Sequence, residues 1–128
     1  MTLTLGLIRA DIIAARQAIE YYDLNGNREI KNVAAYHIQQ AVEKLIKYQI
    51  YQRAGSVSNS QMYTHNIERL IVYGDSLDIG IIVPRYVRDK SLRITDWEAG
   101  SRYDVGFSIR IDLLRRTYEV VVNWFEQL

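Results

Sequence analysis

The chain has 128 residues, 48% of them hydrophobic, which is enough to bury one core and too few for two comfortable domains, so a single domain over 1-128 is expected. Sixteen Lys and Arg against 15 Asp and Glu leave no global basic field of the kind that holds nucleic acid non-specifically, so any RNA or DNA contact has to be local. The absence of Cys excludes disulfides and thiolate zinc sites, no apolar stretch reaches the length of a membrane span, and the start lacks a basic region followed by an apolar run. A soluble, cytoplasmic protein is the expectation, and a single Pro favours long, rarely broken helices.

From Thr4 onward, Leu5, Ile8, Ile12, Ala15, Ile19 and Tyr22 recur at steps of three and four, which predicts an amphipathic first helix ended by Asp23-Leu24-Asn25-Gly26-Asn27. A second helix is expected to begin near Glu29 to Asn32 and to stop at Gly55. On it Ala34, Ile38, Ala41, Leu45 and Tyr48 form an apolar ribbon, widened by Val42 and Ile46. Beside the ribbon, His37, Gln40, Lys44, Lys47 and Tyr51 fall on one side, with Glu43 at its edge. This polar stripe is the best candidate for a binding surface.

Ser56 to Gln61 reads as a polar loop, and Thr64 as the N-cap of a short helix with Ile67, Leu70 and Ile71 inward, closed by Gly74 to Asp78. Ile79 to Pro84 is rich in β-branched residues, but a lone strand has no partner, so a buried connector is expected. Pro84 suits the first turn of a helix running to about Ala99, with Tyr86, Val87, Ile94 and Trp97 inward and a break at Gly100-Ser101. The last helix is expected from about Val105, carried by Ile111, Leu114, Tyr118, Val121, Phe125 and Leu128. The fold class is therefore all-α, an antiparallel four-helix up-and-down bundle with an additional short helix.

Tyr36-His37-Ile38-Gln39-Gln40-Ala41-Val42-Glu43-Lys44-Leu45-Ile46-Lys47, followed by Thr64-His65-Asn66 and Leu70, resembles the HEPN family. The family pattern is an aromatic, a His, Gln-Gln-Ala, Glu-Lys and a further Lys, then Thr-His-Asp and a Leu. A weaker likeness continues in Ser101-Arg102-Tyr103, where many members carry an Arg-Tyr pair. The resemblance implies a helical bundle that dimerises. It also implies association with a minimal nucleotidyltransferase, as in toxin-antitoxin pairs, or metal-independent ribonuclease activity. Catalytic members carry a His shortly after an Arg near the start of the last helix, whereas Arg102 is followed here by Tyr-Asp-Val-Gly-Phe-Ser-Ile-Arg. Asn66 also stands where Asp is commoner.

The expectation is thus a non-catalytic HEPN-type homodimer binding a nucleotide, RNA or a nucleotidyltransferase partner through His37, Gln40, Lys44, Lys47, His65 and Arg102. The alternative is a divergent ribonuclease with His37 or His65 as general base and Lys44 or Arg102 stabilising the phosphorane. His37 and His65 also have plain structural readings, as a satisfied bundle histidine and as a tie between loop and helix. With two His and no accompanying carboxylate cluster at ligand spacing, no metal is expected; with no phosphate-cradling Gly loop, no cofactor is expected either.

Overall fold

The computed structural model of the protein describes residues 3–103 and 108–128, except for the side chains of 102 and 103. Among the described residues there are seven helices and no strand. Four are long: α1 (Leu5–Asn25), α2 (Arg28–Arg53), α6 (Ser91–Tyr103) and α7 (Ile111–Glu126). Three are short: α3 (Asn59–Met62), α4 (Ile67–Ser76) and α5 (Arg85–Asp89). No described helix is long and apolar enough to cross a membrane.

The first two helices follow their sequence signals closely. Thr4 caps α1 through its hydroxyl, which accepts from the Leu7 N–H, and Gly26 ends it at φ 64°, the left-handed conformation that costs Gly least. Asn27 then caps α2 by accepting from the Ile30 N–H. The ribbon of Ala34, Ile38, Ala41, Leu45, Val42 and Ile46 is fully buried. Burial also reaches Ala35, Gln39, Glu43, Gln49 and Ile50 on other sides of the same helix, because α2 packs against α1, α4, α6 and α7 at once. It is the central element, and its polar stripe occupies what remains of its surface.

Three boundaries differ from expectation. The loop expected at 56–61 contains the turn of α3, whose Ser58 N–H donates to the Tyr73 hydroxyl. The cap of α4 is Asn66, whose Oδ1 accepts from the Arg69 N–H, and not Thr64. Thr64 instead turns the chain just before it, by accepting from the Asn66 N–H. The helix expected from Pro84 to Ala99 is two, α5 and α6, parted at Lys90, and α6 runs through Gly100 and Ser101 without a break. Tyr86, Val87, Ile94 and Trp97 nonetheless face inward as expected. The last helix begins at Ile111; residues 104–107, which include the expected start at Val105, lie outside the described set.

The β-branched segment is a connector, and α2 supplies the pairing that a strand would have found in a neighbour. Gln49, fully enclosed in the core, donates to the Ile82 carbonyl (2.9 Å) and accepts from the Ile82 N–H (2.7 Å). One turn further along α2, Arg53 donates to the Gly80 carbonyl, and from α7 the Trp124 indole N–H also reaches the Ile82 carbonyl (2.8 Å). Ile81 and Val83 thereby point into the core, with Ile81 against Gly74 of α4, a position where a Cβ would collide with the Ile81 side chain.

Candidate functional site

The stripe on α2 is bounded by two carboxylates that hold its cations. Asp11 projects from α1, where it occupies an inward position between Ile8 and Ala15, and meets α2 with both oxygens. Its Oδ1 accepts from His37 Nδ1 at 2.9 Å and its Oδ2 from Lys44 Nζ at 2.6 Å. Burial alone would raise the Asp11 pKa, but the hydrogen bonds from His37 and Lys44, with their charges, outweigh it and hold the carboxyl below its ordinary range. Asp11 is therefore ionised, an acceptor only, and the shared hydrogen sits on His37 Nδ1.

Glu43 performs the same task on the other flank. Its Oε2 accepts from Lys47 Nζ at 3.0 Å, and its Oε1 from His65 Nδ1 at 2.8 Å and Gln39 Nε2 at 3.3 Å. The buried Gln39 amide also donates to the His65 carbonyl (3.2 Å), and its own oxygen accepts from Gln40 Nε2 (2.7 Å). The Thr-His-Asn segment thus acts as a staple: Thr64 makes the turn, His65 bonds to α2 by ring and carbonyl, and Asn66 caps α4. The adjoining Ile67 N–H is taken by the Thr95 hydroxyl of α6 (2.9 Å).

The two histidines differ in access. The His37 side chain is 28% exposed and stacks edge-on against Tyr36, whereas that of His65 is 62% exposed. Neither Nε2 makes a hydrogen bond to a described residue, so each imidazole presents that edge outward from a carboxylate-anchored Nδ1. Lys47 and His65, with Tyr63 and Thr64, line a cavity of about 120 Å³. Among the described residues no three His, Asp or Glu side chains gather as they would around a metal ion.

Five of the six expected ligand-binding residues, namely His37, Gln40, Lys44, Lys47 and His65, therefore occupy one network along α2, divided between two carboxylates. The sixth, Arg102, has its side chain outside the described set, and so does the neighbouring Tyr103. Asp11 and Gln39 were not expected in the site. The signal for Asp11 was its place in the inward stripe of the first helix, where a carboxylate without a partner would be costly. A comparison with family models matches the HEPN domain over residues 10–128, nearly the whole chain. The chain belongs to the HEPN family. Searches of curated proteins and of solved structures return no match. Within this HEPN chain, Gln39, Glu43, Lys47 and His65 of the recognised pattern are the residues that join α2 to the entry of α4.

Proposed function

We propose that the chain is a single-domain, cytoplasmic, non-catalytic HEPN module that acts as a homodimer and binds a phosphate of a nucleotide or of RNA at the stripe on α2. On this reading α1, α2, α6 and α7 are the family's antiparallel up-and-down bundle. The observation that carries it is the small cavity where Lys47 and His65 converge beside Thr64. At about 120 Å³ it is well below the ~300 Å³ of sites that enclose whole small molecules, and it suits a phosphate rather than a base. The Lys47 ammonium supplies the charge-assisted bond a phosphate takes, with the His65 ring as the adjoining wall. Dimer formation is supported by the outer face of α1, where Leu7, Ile13, Tyr21 and Leu24 are exposed along one uncharged stripe with Ala10, Ala14 and Gln17. The same face would serve for docking a nucleotidyltransferase partner.

The sequence after Arg102 supports the non-catalytic assignment, because no imidazole follows to move protons in RNA cleavage. One observation favours the ribonuclease reading: a histidine with Nδ1 fixed on a carboxylate and Nε2 turned outward is how a general base is oriented. Incubation with single-stranded RNA separates the two. The binding module leaves the RNA intact and retains it with an affinity that falls about tenfold or more in Lys47→Gln with His65→Ala. Cleavage abolished by His37→Ala or His65→Ala establishes the nuclease instead, and absence of both binding and cleavage removes the stripe as an RNA site.

A further inference from the structure

On another side of the protein, α5, the beginning of α6 and the beginning of α7 border an open cavity of about 330 Å³ whose charge is arranged differently. Lys90, Arg93, Arg110 and Arg116 line it with a single acid, Asp112. Asp112 is already taken: Arg110 donates to it twice, Nε at 3.2 Å and Nη2 at 2.6 Å. The nearby Asp89 pairs with Arg85 on its own helix. Lys90, Arg93 and Arg116 make no ion pair with any described residue, so three uncompensated cations surround one concavity. Water screens the repulsion among these mostly exposed cations, and an anion seated in the concavity would meet all three.

The wall of this cavity is apolar and fixed. Thr117, buried beneath it, donates its hydroxyl hydrogen to the Leu113 carbonyl (2.8 Å), so the Tyr86 hydroxyl must donate to Thr117 Oγ1 in the 2.9 Å contact between them. The Arg116 guanidinium lies 5.8 Å from the Tyr86 ring centroid, within cation-π range. Tyr86 and Leu113 therefore offer a preset surface that an inorganic anion would leave unused. The volume reaches the lower end of the range for small-molecule sites.

We infer that this cavity binds a polyphosphate chain attached to a nucleoside, the chain on Lys90, Arg93 and Arg116 and the nucleoside against Tyr86 and Leu113. A free nucleoside triphosphate and the 5′-triphosphate end of an RNA share that chemistry. This site is separate from the α2 stripe, where two lysines face two carboxylates and the fixed charges balance.

The test is to titrate the protein calorimetrically with ATP, inorganic tripolyphosphate, and one short RNA bearing either a 5′-triphosphate or a 5′-hydroxyl. ATP is expected to bind more tightly than tripolyphosphate, or the 5′-triphosphate RNA more tightly than its 5′-hydroxyl counterpart. Which of the two occurs identifies the source. Arg93→Ala with Arg116→Ala, or Lys90→Gln alone, is expected to weaken binding by about tenfold or more with unchanged helical circular dichroism. In Lys44→Gln with Lys47→Gln, which removes the stripe's lysines, the preference for ATP over tripolyphosphate, or for the 5′-triphosphate end over the 5′-hydroxyl end, should persist, which separates this site from the stripe. Equal affinity for both RNA ends together with no ATP binding, tripolyphosphate binding as tightly as ATP, or indifference to the α6 and α7 variants overturns the inference.

Discussion

Asp11 and Glu43 each hold one lysine and one histidine against α2, yet they are assembled in opposite ways. Glu43 draws Lys47 and Gln39 from its own helix, four residues to either side, and reaches outside it only for His65. Asp11 finds both partners on a different helix, 26 and 33 residues away. The first cluster is mostly helix geometry and forms whenever α2 forms. The second exists only when α1 has docked, so it reports tertiary structure. Their burial ranks them the same way, the Glu43 side chain being 6% exposed and that of Asp11 10%.

The largest effect expected from breaking this pair is Glu43→Gln. It leaves Lys47 without its counter-charge in a mostly buried place and disrupts the His65 staple, at a cost of about 3 kcal/mol in urea unfolding. Asp11→Asn comes next, at about 2 kcal/mol, because Lys44 keeps more contact with water than Lys47 does. It also has a signature in pH. Because the folded state holds the Asp11 proton less tightly than the unfolded chain does, its contribution is complete above the ordinary carboxylate pKa of about 3.9. That contribution is lost as pH falls through the lower folded value. Asp11→Asn should therefore flatten part of the stability loss between about pH 5 and pH 3 seen by acid titration of thermal unfolding. The smallest expected effects are those of the imidazoles: about 1 kcal/mol for His37→Ala and less than about 0.5 kcal/mol for the more exposed His65→Ala, both by urea midpoint. A larger loss from His65→Ala than from Asp11→Asn would reverse the ranking and make the staple the principal tie between α2 and its surroundings.

The same contrast explains what was legible in the sequence. Periodicity located α1, α2 and the inward stripe of α7, with Gly26 marking the end of the first, and the local spacing around Glu43 placed Gln40, Lys44 and Lys47 on one surface, because these are properties of a single helix. Asp11 was not legible as a partner of that surface, since nothing local to the first helix says which residue its carboxylate will meet. Thr64 and Asn66 are both competent caps, and the start of α4 is settled at long range, by Thr95 of α6 taking the Ile67 N–H. The division of α5 from α6 at Lys90 carries no Gly or Pro to announce it. The short turn of α3 is likewise held from a distance, by the Tyr73 hydroxyl.

Gln49 has a consequence beyond the stability of the core. The segment around Ile79 to Val83 has the composition of an aggregation-prone strand, uncharged and β-branched, among described residues that are mostly helical. By giving Ile82 both a donor and an acceptor, one glutamine side chain occupies the backbone groups that a strand from a second molecule would seek. Loss of that amide would expose a pairing edge where the described residues form no sheet to absorb it, so Gln49 guards colloidal behaviour as much as it guards packing.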